Sequence, residues 1–367
     1  MSALPRPPRH SRSRFKRLMQ PVVSPAVFDF WASRFNRTWS WERPLARVVA
    51  REQASRDAVT LVLAPNRHCG GFRPGQHINV SAEVHGARIT RSYSLTDLPR
   101  ADGRMAITVK AVAEGKLSQY LCNEVRVGDV LGIGPAFGDM HLPADPQGEW
   151  LFLAAGSGIT PLMALTRELA AAGMPVNLTL AYWVRTREEL CFLRELRALA
   201  ASQPRFRFHA QLTREAAQAA DEGEGRLDEA LLSTLIDNAK GLQVMACGPG
   251  GFVEQARNLL EGTAHSFQAE AFSLPPLEHS ETGTVQVRLA KRGVTLQLAR
   301  GQSLLTALEA EGIKPASGCR MGICNTCSCA KASGSTRHLP SGALEHEPTS
   351  ALKLCISSAV TDLELDL

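Results

Sequence analysis

Cysteines 319, 324, 327 and 329 fall within eleven residues, "CRMGICNTCSC", and make up four of the nine in this 367-residue chain. Three are spaced Cys319-x4-Cys324-x2-Cys327, and Cys355 follows after 27 further residues. Three thiolates on one tight loop and a distant fourth suit a two-iron, two-sulfide core, in which each tetrahedral iron needs two protein sulfurs. Gly318 and Gly322 allow a backbone to bend closely round such a core and to aim N–H groups at sulfur. Structural zinc ordinarily uses paired C-x2-C knuckles, of which this chain has one. A disulfide knot conflicts with an odd, scattered cysteine set of cytosolic character. Cys329 lies outside the four-ligand spacing and reads as a non-ligand, as do Cys69, Cys122 and Cys191.

A second set of residues suits a nucleotide cofactor. "RSYS" (Arg91, Ser92, Tyr93, Ser94) ends a β-branched run and offers a cation for phosphate, a ring for stacking and a small hydroxyl. Some twenty residues on, "GKLS" (Gly115, Lys116, Leu117, Ser118) heads a predicted helix. "AAGSGITP" follows a strand and opens a helix, with Gly156, Gly158, Thr160 and Pro161 at the turn. It lacks the third glycine of the dinucleotide fingerprint.

The elements that must position these residues change character along the chain. Residues 1–43 form a basic arm with nine Lys/Arg against Asp29 and Glu42, a charge of +7 that leaves −2 for the rest. Its first 17 or so residues read as disordered. Ser24-Pro25 then reads as a helix start, with Val27, Phe28, Trp31 and Phe35 at helical spacing. Residues 44–148 carry short β-branched runs between Gly, Pro and Asp, the pattern of a small antiparallel barrel. Residues 149–274 alternate strand and helix, as a parallel α/β sheet does. Residues 275–283 have linker composition, and residues 284–367 hold a hairpin, a helix opened by Ser303, and the cysteine loop.

Together these motifs resemble the ferredoxin–NADP reductase superfamily with a plant-type ferredoxin domain appended. "RSYS" resembles its R-x-Y-S flavin motif, "EGKLSQYL" its second flavin motif, and "AAGSGITP" its nicotinamide loop. "CGP" (Cys247, Gly248, Pro249) resembles the second nicotinamide-side motif, and "EAF" (Glu270, Phe272) the segment that reaches back to the flavin. "ASGCRMGICNTC" resembles the ferredoxin signature, within a β-grasp domain, except that Asn325 stands where many members have glycine. The resemblance implies a multidomain reductase using FAD, NADPH and a [2Fe–2S] cluster held by Cys319, Cys324, Cys327 and Cys355. It implies catalytic roles for Ser94 and Cys247 beside the hydride path; for Cys247 a plainly buried thiol is the other reading. Arg185 and Arg187, after the second α/β strand, lie where a 2′-phosphate calls for cations and so favour NADPH.

The leading "WSWERPLARV" and the domain order resemble reductases that serve membrane di-iron fatty-acid desaturases. A reductase for a soluble Rieske-type or other ring-modifying oxygenase is the nearest alternative, and a non-redox metal-binding interaction module a more distant one. No run of eighteen apolar residues and no adequate secretory h-region occur, so a cytoplasmic protein is expected. The basic, aromatic arm fits peripheral contact with the inner face of a membrane, or else its rings pack on the protein itself. No nucleic-acid recognition module is present.

Overall fold

The computed structural model describes residues 24–236, 241–273 and 281–367. The disorder expected over the first 17 residues and most of the expected linker lie outside these. Ser24 does cap helix α1 (Pro25–Phe35), its hydroxyl accepting from the Val27 N–H at 3.3 Å, with Pro25 at the first helical turn.

Six antiparallel strands follow: β1 (Leu45–Ser55), β2 (Ala58–Pro65), β3 (His77–Val84), β4 (Ala87–Ser94), β5 (Met105–Lys110) and β6 (Val130–Phe137). Their order is β4-β3-β6-β1-β2-β5, and a bridge between Leu95 and Ile107 brings the two edge strands together into a barrel. Val48, Leu61, Ile78, Val80 and Ile107 fill its interior. Helix α2 (Lys116–Asn123) plugs one end with Leu117 and Leu121.

The second sheet contains β7 (Glu149–Ala155), β8 (Asn177–Val184), β9 (Phe206–Leu212), β10 (Glu222–Glu224), β11 (Gln243–Gly248) and β12 (Ser266–Ala271), all parallel. β7 and β8 are buried along nearly their whole length because helices cover both faces, which is why their sequences run apolar without alternation. Helices α3 (Ile159–Ala171), α4 (Leu193–Ser202), α5 (Glu229–Leu235) and α6 (Gly250–Leu260) supply the cover. The order β10-β9-β8-β7-β11-β12 reverses direction between β7 and β11, and open α/β sheets bind ligands at the strand carboxyl ends beside such a point.

The third sheet starts from a hairpin, β13 (Thr284–Leu289) with β14 (Val294–Ala299), followed by α7 (Leu304–Ala310). β13 alternates exposed and buried residues, the mark of a sheet covered on one face. Then come β15 (Ser328–Ser333), β16 (Thr336–His338), β17 (Leu344–Glu345), β18 (Thr349–Lys353), β19 (Ser357–Ala359) and β20 (Leu363–Leu365). The main order, β14-β13-β20-β15-β18, packs on α7 through Leu304, Leu305 and Leu308. The chain thus has an antiparallel barrel, a parallel α/β sheet and a smaller hairpin-helix sheet, the three parts that the sequence pattern predicts.

Candidate functional site

The three parts meet at one cleft of about 280 Å3. The barrel lines it with Arg91, Ser92, Tyr93 and Ser94 from β4 and with Gly115, Leu117 and Ser118 from the start of α2. The parallel sheet adds Ser157, Thr160 and Phe272, and the cysteine segment adds Cys319 and Met321.

The residues on the barrel side suit a flavin nucleotide. Ser94 is buried, and its hydroxyl has no hydrogen-bond partner among the described residues. A buried hydroxyl without a partner is costly, so a polar ligand atom in the cleft fits it. Burial raises the Tyr93 phenol well above its ordinary pKa, so the ring is a neutral stacking surface. Burial and the neighbouring Arg320 guanidinium lower the pKa of Arg91, two cations gathered where an anion is wanted. Gly115 caps α2 without a side chain, so the first helical N–H groups stay open to phosphate. A Cβ at Gly115 would lie 2.3 Å from the Ser118 hydroxyl, which holds this turn by donating to the Gly115 carbonyl at 2.9 Å. Ser92 is occupied too, donating to the Asn79 side-chain oxygen at 2.6 Å. Lys116 is exposed and lies outside the cleft lining.

The residues on the nucleotide side meet at the switch point. Gly156 has φ +54° and open space where a Cβ would stand, at the turn into α3. A Cβ at Gly158 would stand 1.9 Å from the Cys247 carbonyl oxygen, so glycine lets the two crossover loops touch. Thr160 fastens the turn by donating to the Ser157 carbonyl at 2.8 Å, and Pro161 is buried behind it. Gly248 accepts from the Phe272 N–H at 2.8 Å, and Pro249 caps α6. Cys247 itself is fully buried, outside the cleft lining, and its thiol pKa is raised by that burial and then by Glu270. Its side chain therefore packs in the core, and the contact it makes with the nucleotide loop is through its backbone.

Arg185 and Arg187 both leave β8 into acidic company. Arg185 pairs with Glu189 at 3.2 Å. Arg187 is held by Glu215 and Glu222, and Glu222 is buried with its pKa lowered to about 2, chiefly by the Arg187 hydrogen bond. Glu189 also receives Lys110 of the barrel at 2.6 Å and Arg56 at 3.4 Å, so this carboxylate binds barrel to sheet.

The sequence pattern did not point to His77, Asn79 or Met321. His77 is buried in the cleft wall, and its Nε2 lies 2.6 Å from Glu270. Met321 and Cys319 bring the cysteine loop to the cleft. Asn79 sits beneath Gly318, whose Cβ would come within 3.0 Å of its oxygen and 2.8 Å of Cys324 Sγ. Two signals were available for these: the strand alternation of β3, which turns His77 and Asn79 to one face, and the place of Met321 between two cysteines.

The cysteine loop is built for sulfur. Backbone N–H groups of Met321 and Cys324 point at Cys319 Sγ, both at 3.3 Å. The Cys319 N–H meets Cys324 Sγ at 3.2 Å and the Gly322 N–H meets Cys355 Sγ at 3.3 Å. The thiols contact in a chain, Cys324–Cys319–Cys355–Cys327, and bonds from Cys324 and Cys355 lower the Cys319 pKa. Among the described residues no three His, Cys, Asp or Glu side chains converge as a single-ion site would need. Arg320, Gly322 and Asn325 all have positive φ, at +61°, +78° and +55°. Asparagine tolerates this left-handed conformation better than most residues, which accounts for Asn325 at a position where many members have glycine. Lys353 donates to the Gly322 carbonyl at 2.6 Å, and Arg320 pairs with Glu309 of α7, so the loop is tied to the core at both sides. Cys329 is buried, its thiol pushed up to about 11 by desolvation.

Residues 45–141 match the family of oxidoreductase FAD-binding domains, 152–258 that of oxidoreductase NAD-binding domains, and 287–359 that of 2Fe-2S iron-sulfur cluster binding domains. An NADPH oxidoreductase of Mycobacterium tuberculosis is 30% identical over 358 residues, 96% of this chain and 92% of that protein. The chain belongs to the ferredoxin–NADP reductase superfamily, in the group that carries a C-terminal [2Fe–2S] ferredoxin domain. The glycine betaine monooxygenase reductase subunit of Chromohalobacter salexigens is 25% identical, with 87% of this chain and 93% of that protein covered. In fold, the reductase is similar to phthalate dioxygenase reductase, described as a modular structure for electron transfer from pyridine nucleotides to [2Fe–2S]. The TM-score is 0.58 at 23% identity, covering 88% of this chain and 97% of that one. It is accordingly an oxidoreductase that uses FAD, a nicotinamide dinucleotide and a [2Fe–2S] cluster. No helix among the described residues is long and apolar enough to cross a membrane.

Proposed function

We propose that this reductase takes electrons from NADPH and delivers them to a membrane di-iron fatty-acid desaturase, meeting it at the cytoplasmic face of the membrane. The observation that carries the electron path is the single cleft in which Ser94, Thr160 and Cys319, one from each part of the chain, share a wall. Support for the acceptor comes from the resemblance of "WSWERPLARV" and of the domain order to desaturase reductases. Bound FAD supplies the exchange between a two-electron hydride donor and the one-electron cluster.

The chain's own residues would bind and orient. Arg91 would neutralise phosphate charge, Tyr93 would stack on the isoalloxazine, and Ser94 would place its unpartnered hydroxyl at the reacting edge of the ring. Ser92 would hold β4 in place through Asn79. Gly115, its own N–H donating to the Val112 carbonyl at 2.9 Å, would leave the helix mouth clear for the N–H groups of Lys116, Leu117 and Ser118 to receive the pyrophosphate. Gly156, Gly158, Thr160 and Pro161 would cradle the nicotinamide nucleotide against Gly248 and Pro249, with Cys247 shaping the pocket through its backbone. Arg185 would take the 2′-phosphate, with Arg187, held by Glu215 and Glu222, as the second cation of the pair beside it; the NADPH oxidoreductase relative supports this reading. Glu270 and Phe272 would close the cleft, and Cys319, Cys324, Cys327 and Cys355 would ligate the cluster. The same reading divides the chain into 44–148, 149–274 and 284–367.

The test adds purified protein and NADPH to washed membranes containing the host's desaturase and a labelled saturated acyl-CoA. Unsaturated product that needs both additions supports the reading. Rapid NADPH-driven reduction of cytochrome c without product rejects this acceptor. A soluble oxygenase partner is the second reading, favoured by the similarity to a glycine betaine monooxygenase reductase subunit.

A further inference from the structure

Helix α1 faces the wrong way for a helix that serves only its own protein. A surface helix normally buries its apolar stripe and leaves charge outside. Here Val27, Phe30, Trp31 and Phe35, at i, i+3, i+4 and i+8, form one outward stripe, with Trp31 61% and Phe35 84% exposed. The buried face holds a carboxylate instead. Asp29 accepts from the Trp41 N–H at 2.6 Å and from Arg43 Nε at 2.8 Å, and Phe28 packs edge-on against Trp41 with ring centroids 5.2 Å apart. These contacts fix the helix rotation that presents the aromatics to solvent. Trp39, just beyond the helix, is also exposed, so five of the nine exposed large hydrophobic side chains among the described residues fall between 27 and 39.

Cations rim this patch. The Arg34 guanidinium stands 5.1 Å above the Phe30 ring, and Trp39 shares a groove with Arg67. The sequence before the helix, residues 1–23, carries six Lys/Arg and no Asp or Glu. Through residue 43 the sequence carries +7 against −2 for the rest, so the excess of cations falls in the same stretch of sequence as the aromatic stripe.

We propose that this face of α1, with Trp39, is an interfacial anchor that docks the reductase on an anionic lipid surface. Tryptophan and phenylalanine settle at headgroup depth, and arginine around them pairs with lipid phosphate. Each cation held near an anionic leaflet adds to the attraction, and a short helix with one apolar face lies flat on the bilayer. A second copy of this chain is the poorer occupant, since it would bring another arm of charge +7 against the same face. The anchor does not depend on which acceptor is served, and its test contains none.

The experiment uses the full-length holoprotein and sedimentation with vesicles of phosphatidylcholine alone or with added phosphatidylglycerol. Binding to the anionic vesicles is expected, weakened by salt. The triple variant Phe30→Ser, Trp31→Ser, Phe35→Ser is expected to lower that binding roughly tenfold or more while keeping wild-type ferricyanide reduction. Wild-type protein that stays in the supernatant with anionic vesicles overturns the proposal. Unchanged binding of the triple variant overturns it as well, since the arginines alone would then suffice. A wild-type dimer that the same substitutions convert to monomer reassigns the face to a second copy.

Discussion

The His77 ring nitrogen lies 2.6 Å from the Glu270 carboxylate and joins barrel strand β3 to the last strand of the parallel sheet at the cleft wall. The imidazole is almost fully buried, and its other neighbours are the rings of Phe137 and Phe272. Truncating either partner strands the other in an apolar wall. Glu270→Ala should therefore destabilise the protein by about 1–3 kcal/mol in urea unfolding. The double variant with His77→Ala should fall short of additivity by at least about 0.5 kcal/mol. Additive losses would mean that the contact carries no coupling.

Ser94 gives the opposite expectation for stability. Its hydroxyl has no partner among the described residues, so Ser94→Ala removes an unsatisfied group and should leave the melting temperature of the apoprotein unchanged or raised. Anaerobic stopped-flow reduction of the flavin by NADPH should nevertheless slow by roughly tenfold or more. An unaltered reduction rate would remove Ser94 from the reacting edge.

Glu222 predicts a pH dependence. Hydrogen bonds from Arg187 and from the Gln218 and Ala219 N–H groups hold its carboxyl near 2 in the folded chain, below its unfolded value of about 4.3. A lowered folded pKa contributes stability that is present above the unfolded value and lost as pH falls through the folded one. Wild-type stability should therefore decline between about pH 4.3 and 2, and Glu222→Gln should flatten that part of the curve. The same network keeps Arg187 occupied, so Arg185→Ala should raise the KM for NADPH more than for NADH. Equal effects on both would take Arg185 away from the 2′-phosphate.

Gly322 tests the cysteine loop separately from the thiols. Its φ of +78° is disfavoured for an L side chain, and an added Cβ would stand 2.4 Å from Ile356 Cδ1. Gly322→Ala should lower the iron content of the purified protein and leave its flavin content intact. Full iron loading would show that the loop tolerates the strain.

Much of this was legible in the sequence where chemistry constrains spacing or strand burial dictates pattern. The apolar run of β7 and the largely apolar β8, broken only by Thr179 after its first residue, mark strands covered on both faces, and the alternation of β13 marks one covered on a single face. The convergence of Arg91, Ser94, Thr160 and Phe272 on one cleft follows the motif order. What escaped depends on contacts between distant segments. His77 meets Glu270 across 193 positions, and no local period announces that pairing. Strand-helix alternation does not show the break after β8, where a separate 3-10 turn forms at Arg187–Glu189 and the α-helix begins only at Leu193, because Glu189 turns inward to Lys110 and Arg185. The orientation of α1 was equally hidden. Its spacing marks a helix with an apolar stripe, but the rotation is set by Asp29 meeting Trp41 and Arg43 from beyond the helix.

The central claim is that electrons entering at the Ser94 cleft leave through the four-cysteine loop. Anaerobic addition of NADPH, followed by electron paramagnetic resonance of wild-type and Cys355→Ser protein, tests it most directly. The wild type should show the signal of a reduced [2Fe–2S] cluster, and the variant should lose that signal while its flavin is still bleached by NADPH. A wild-type protein whose flavin bleaches without any reduced-cluster signal would contradict the account.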